Sequence, residues 1–115
     1  MQIQVRKRGP FTILEVHGSM LSVDGGELME RFLPLLEAGD RTFIFDLTGV
    51  PDSATGGINT VVACRNKAVK RDGCVKLVLN ERLRYLYTLL FLDTIFEIFD
   101  DLEEALVSAV EPVSA

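Results

Sequence analysis

Residues 43–47 read FIFDL, a run that is nearly all apolar. A strand with one wet face alternates apolar and polar side chains, whereas a strand apolar throughout needs a covering layer on each face. That is the place of a central strand in a sheet sandwiched by helices. The flanking segments supply such helices. Before the run, Leu28, Phe32, Leu35 and Leu36 recur at the offsets of one helical face, and Asp24 stands three residues ahead of Glu27 in capping-box spacing. Pro34 falls inside this pattern, where it should kink or loosen the helix, and Gly39 should close it. After the run, TGVPDSATGG is dense in turn formers and reads as a loop. A second helix is expected from Ile58, with Ile58, Val61, Val62, Ala68 and Val69 on one side and Gly73 at its end. Lys67, Lys70 and Arg71 in its last turns suit the negative end of the helix dipole.

The remaining segments complete an alternating plan. Ile3 and Val5 alternate with polar neighbours, Gly9-Pro10 marks a turn, and Phe11, Ile13 and Val16 return as the second arm of a hairpin ended by Gly18. VKLVL is the next strand, and Asn80 can cap a third helix that buries Leu83, Leu86, Tyr87 and Leu90. IFEIF is a short last strand. Asp101 and Glu104 then form a capping box for a final helix burying Leu102, Ala105, Leu106 and Ala109. The order β-β-α-β-α-β-α-β-α predicts an α/β fold: a mostly parallel sheet with an antiparallel edge strand, residues 43–47 at its centre and the opening strand at its edge. The chain of 115 residues is expected to be a single domain spanning 1–115.

Several function classes are excluded by what the chain lacks. The net charge of −5 and the absence of a dense Lys/Arg cluster argue against nucleic acid. Cys64 and Cys74 have no CxxC spacing and His17 is the only histidine, so a four-ligand Cys/His zinc site cannot be built and no metal or other cofactor is expected. Cys64 reads as a small packing residue and His17 as strand-end structure. No nucleophile is paired with a base, so no enzyme is expected. The apolar stretch LYTLLFL at 86–92 is too short to span a bilayer, and the start of the chain carries no apolar signal segment. A cytoplasmic protein with reduced thiols is the reading that remains.

Five segments, taken together at their spacing, resemble the STAS domain of bacterial anti-sigma-factor antagonists. They are DLTGV at 46–50, the six positions Ala54, Thr55, Gly56, Gly57, Ile58 and Asn59, the Asp72-Gly73 stop, VKLVL, and FLDTIFEIFDDLEEAL. The resemblance covers essentially the whole chain. It implies a STAS fold and a partner-switching regulator that binds an anti-sigma-factor serine kinase when unphosphorylated. It further implies that this kinase phosphorylates Thr55, with Ser53 as a rival acceptor, and that a phosphatase resets the switch. The partner-binding surface it implies comprises Asp24, Asp52, Ser53, Ala54, Thr55, Gly56, Gly57 and Asn59. The chain departs from the family pattern at four places. Ala54 replaces the acid before the acceptor, Asn59 a glycine, Leu21 an acid in the loop after the second strand, and Phe91 a glycine after the third helix. Phenylalanine resists a left-handed backbone, so the third helix is expected to end differently from the family's.

Alternatives stay open beside that reading. Thr55 can serve simply as the cap of the second helix, Asp46 as a bond to loop N–H groups, and Gly56-Gly57 as turn geometry. A STAS scaffold that is never phosphorylated, or a subunit associated with a transporter ATPase, is the functional alternative. Tyr85, Leu89 and Leu92 lie off the core stripe of the third helix; they either pack under a loop or form a partner or dimer surface.

Overall fold

The computed structural model describes residues 2–19, 26–51 and 55–108, with Thr55 and Gly56 described by their backbone only. Strand β1 (Gln2–Arg8) and strand β2 (Phe11–His17) pair antiparallel around Gly9, whose φ of +57° suits a residue without a Cβ. Helix α1 (Gly26–Glu37) follows, then β3 (Thr42–Gly49), α2 (Thr55–Val69), β4 (Cys74–Val78), α3 (Glu81–Leu89), a 3₁₀ turn (Leu92–Thr94), β5 (Ile98–Phe99) and α4 (Leu102–Val107). The strands lie in the order β1-β2-β3-β4-β5, with β2 to β5 mutually parallel and β1 antiparallel at the edge. The expected architecture is therefore the observed one, with β3 in the middle.

The period of two along β3 explains why its run is apolar. Phe43, Phe45 and Leu47 face the helices α1, α2 and α3, which cover one side of the sheet with Leu28, Phe32, Leu36, Val61, Cys64, Leu83 and Tyr87 among others. Ile44 points to the other side, where it joins Phe11, Ile13, Val78 and Ala105 of α4. Phe32 packs its ring 4.7 Å from that of Phe43 and edge-on to Phe45. Such pairs each add roughly 0.5–1.5 kcal/mol beyond area burial. The second side also holds Lys76, which is buried; its Nζ donates to Ser108 Oγ at 2.8 Å, lies 3.4 Å from Glu97 Oε2, and sits over the rings of Phe11 and Phe99.

The helix ends show where sequence expectations hold and where they give way. Helix α1 runs on past Pro34 and stops at Gly39, whose φ of +114° lets Asp40 N bond Leu35 O while Gly39 N bonds Leu36 O. Its proposed capping residue, Asp24, lies outside the described residues. Leu35 is only half-buried. Helix α2 begins at Thr55, three residues ahead of Ile58 where the turn-forming composition had placed its start. Gly56 and Gly57 therefore lie in the helix rather than in a turn. Cys64 joins its buried stripe, whereas Val69 is partly exposed. Its stop is shared: Asp72 takes the left-handed position at φ +62°, and Gly73 lets the chain pass so close to the Arg41 carbonyl that a Cβ would stand 2.4 Å from it.

Helix α3 is capped by Asn80 as expected, its Oδ1 accepting from Leu83 N. Leu83 and Tyr87 are buried, but Leu90, expected in the core, is the C-terminal cap and is 49% exposed. Phe91 overturns its expectation outright, adopting the left-handed conformation at φ +59°, ψ +22°. The chain must reverse there to enter the 3₁₀ turn, and tertiary geometry overrides the residue's own preference. The last strand is shorter than IFEIF: only Ile98 and Phe99 pair with β4, and Phe96 is buried beside Tyr87. Asp101 caps α4 by accepting from Glu104 N at 2.8 Å. Ala109 lies outside the described residues.

Candidate functional site

The parallel strands β3 and β4 finish at the end of the sheet from which α2 and α3 start, and there the chain builds one tied structure. Asp46, nearly buried at the end of β3, accepts at Oδ1 from Thr48 N (3.1 Å) and from Thr48 Oγ1 (2.7 Å). A carboxylate bonding the N–H two residues on is a local turn device, so the structural role expected of Asp46 is the one it has. Gly49 comes against β2, its carbonyl accepting from Gly18 N at 3.1 Å. A Cβ on Gly49 would lie 2.4 Å from His17 Nδ1, so any side chain here would have to displace the His17 ring. Val50 N bonds Leu47 O and the Val50 side chain is buried, which fixes the loop where it leaves the strand.

Asn80 clasps this loop to the neighbouring helix. Its Oδ1 caps α3, while its Nδ2 donates to Val50 O at 2.8 Å and to Thr48 O at 3.3 Å. The sequence identifies Asn80 only as a cap. The missed signal is the amide itself: Asp and Ser also cap, but a carboxylate has no proton to give the loop carbonyls. Beyond the clasp, Pro51 is exposed and, among the described residues, borders with Asn80, Glu81, Arg82 and Tyr85 an open cleft of about 700 Å³.

Of the residues expected to form the partner surface, Asp24, Asp52, Ser53 and Ala54 lie outside the described residues, as does Leu21. Thr55 is the first residue of α2, with Gly56, Gly57 and Asn59 in the turns that follow. Gly57 is buried and Asn59 is exposed. The first N–H groups of a helix have no partner within it and carry the positive end of its dipole, so this end of α2 favours negative charge. His17 stays at the strand end as expected, exposed, with Nε2 2.8 Å from Glu15 Oε1. That hydrogen bond, reinforced by Arg6, holds the Glu15 carboxyl below the usual carboxylate range despite some desolvation.

Burial pushes the Cys64 thiol up to about 12, so it is not a thiolate at neutral pH, and burial raises Cys74 as well. Among the described residues no group of three or more His, Cys, Asp and Glu side chains is placed to hold a metal ion. Among the described residues no helix is long and apolar enough to cross a membrane.

The sequence profile of the STAS domain matches residues 2–105. An anti-sigma factor antagonist from Mycobacterium paratuberculosis superposes with a TM-score of 0.82 over 91% of this chain and 90% of its own, at 21% identity. The Bacillus cell fate determinant SpoIIAA, in its phosphorylated form, superposes with a TM-score of 0.71 over 91% and 96% of the two chains, at 13% identity. At these identities the likeness is one of fold. No curated protein sequence matches the chain.

Proposed function

The chain belongs to the STAS domain family, and we propose that it works as an anti-sigma factor antagonist: a protein that binds an anti-sigma-factor serine kinase and is switched by phosphorylation of Thr55. The observation that carries this reading is the position of Thr55 at the first residue of α2, five residues beyond Val50, whose carbonyl Asn80 holds. The likeness to an anti-sigma factor antagonist over nine-tenths of both chains supports it, as does the likeness to a phosphorylated relative. Unmodified, Thr55 offers a small neutral group that a partner can cover. Phosphorylation would add about −1.5 to −2 charges. The helix N-terminus offsets part of that charge, but a covering protein surface would still have to desolvate it, at a cost of several kcal/mol. The partner surface is then Asp24, Asp52, Ser53, Ala54, Thr55, Gly56, Gly57 and Asn59, with Ser53 the rival acceptor. A phosphatase would restore the binding form. On this reading the protein is cytoplasmic, carries no cofactor and performs no catalysis of its own.

One feature favours a second reading, a STAS scaffold or transporter-ATPase-associated subunit that is never phosphorylated: Ala54 stands where the family pattern has an acid. Calorimetry separates the two. Against its cognate anti-sigma-factor serine kinase, Thr55→Glu should bind at least tenfold more weakly than Thr55→Val, a difference of about 1.4 kcal/mol. Incubation with that kinase and ATP should add one phosphate at Thr55 by mass spectrometry. Equal affinities and no phosphate would make Thr55 a helix cap and leave the scaffold.

A further inference from the structure

Large apolar side chains crowd the surface at the end of α3. Tyr85 is 68% exposed, Leu89 56%, Leu90 49%, Phe91 75% and Ile95 40%. Among the described residues only Val69 and Val107 are comparable. Tyr85 and Leu89 are one helical turn apart and share a face. Leu89, Leu90 and Phe91 are consecutive, and the 3₁₀ turn folds back on them. Thr94 N and Thr94 Oγ1 both donate to the Phe91 carbonyl, at 3.3 and 2.6 Å, and Ile95 N donates to Leu92 O. The turn thus keeps Phe91 and Ile95 close to the end of the helix that carries Tyr85 and Leu89.

Three properties of the patch point to its occupant. The first is area: side chains of this size at these exposures present on the order of 500 Å² of apolar surface, at the upper end of what a monomer leaves open. An interface is roughly 60% apolar, so the patch sustains about 800 Å² per protomer, the size of a standard stable contact. The second is charge. Glu81, Asp93 and Asp100, the partner of Arg84, stand against Arg82 and Arg84, a balance of −1. A patch so close to neutral can meet its own copy with little like-charge repulsion even though the chain carries −5. An anionic lipid surface would instead select an excess of cations, which this stretch lacks. The third is position: α3 runs back along the sheet, so Leu89 and Phe91 sit at the opposite end from the start of α2. A copy bound there leaves the Thr55 loop free.

We infer that the chain forms a two-fold homodimer through this patch, with Phe91 of each copy packed against Leu89 and Ile95 of the other. The left-handed backbone at Phe91 turns this large ring outward, where it serves neither the core nor the helix end. Sedimentation equilibrium of the full chain across a wide concentration range tests this. The wild type should sediment at twice 12.8 kDa. Phe91→Gly, which suits the local backbone, and Leu89→Asp should each weaken self-association at least tenfold without changing the far-UV circular dichroism. Val107→Asp, the same kind of change at an exposed site on α4, should remain a dimer. A monomeric wild type, or a dimer that survives both patch variants, overturns the inference. A monomer that floats with phosphatidylcholine or phosphatidylserine vesicles, or one whose capture by its cognate anti-sigma-factor kinase is lost in Phe91→Gly, assigns the patch elsewhere and overturns it equally.

Discussion

Replacing Phe91 by glycine and by alanine isolates the backbone term at the end of α3. Both substitutions remove the same phenyl group, which is 75% exposed, so the small loss of burial is common to both and cancels. Both also remove the proposed dimer contact, so concentration does not favour either. What differs is the residue's fitness for φ +59°, ψ +22°. An L-residue there costs about 1–2 kcal/mol from the approach of Cβ to the following carbonyl, a cost glycine does not bear. Glycine gives back roughly 0.5–1 kcal/mol through the greater freedom of its unfolded chain. The balance leaves Phe91→Gly about 1 kcal/mol more stable than Phe91→Ala, the reverse of their order inside a helix. In a chain of this size that is a difference of roughly 3–6 °C in Tm. Urea denaturation followed by circular dichroism should show it as a higher midpoint at equal slope. An alanine variant as stable as the glycine variant would mean that position 91 is not held left-handed, and the account of how α3 ends would fall with it.

Other perturbations test other joints. Gly73→Ala should cost about 2–3 kcal/mol, because its Cβ would meet the Arg41 backbone oxygen at 2.4 Å. Gly49→Ala should cost less than that, because the His17 ring it would meet is an exposed side chain that can shift at the expense of its bond to Glu15, so equal urea midpoints for the two would refute that distinction. Lys76→Ala should lose about 2–4 kcal/mol by emptying a buried site between Phe11 and Phe99, and Lys76→Met less than half as much. If thermal melts reverse that order, the ammonium's bond to Ser108, and not the packed stem, secures α4. Glu15 has a folded-state pKa below its ordinary value of 4.5, so its contribution is present above 4.5 and is lost as pH falls through the lower folded value. The wild type should therefore lose stability more steeply than Glu15→Gln below pH 4.5, and parallel curves of urea midpoint against pH would contradict it.

The elements that the sequence reveals are those whose signal is local. FIFDL announces a doubly covered strand because both of its faces are apolar within five residues, and Asn80 and Asp101 announce helix starts because capping needs only a neighbouring N–H. Where outcomes depend on distant atoms, residue types mislead. Nothing in the letters around Lys76 tells that two phenyl rings and Ser108 will close over it, and Phe91 adopts a backbone that its own sterics oppose. The start of α2 was obscured by Gly56 and Gly57, residues that favour turns but here lie in the helix. Of the candidate site, the resemblance put Thr55 where a loop enters the second helix, although the turn formers placed that helix's start three residues later. The second use of Asn80 was not legible, because carbonyls thirty residues earlier in the chain give no sign of needing a donor.

That double duty of Asn80 narrows the alphabet at position 80 to a single letter. Aspartate would keep the helix cap and leave the Val50 and Thr48 carbonyls without their donor. Serine has one hydroxyl proton and too short a reach for both partners, and glutamine displaces the acceptor from the cap by a methylene. No such change touches Thr55, yet each would unfasten the chain five residues before it. Variation at 80 should therefore be tolerated poorly, and a clone selected for altered switching could carry its lesion there, in a residue that by sequence looks like nothing more than the first letter of a helix.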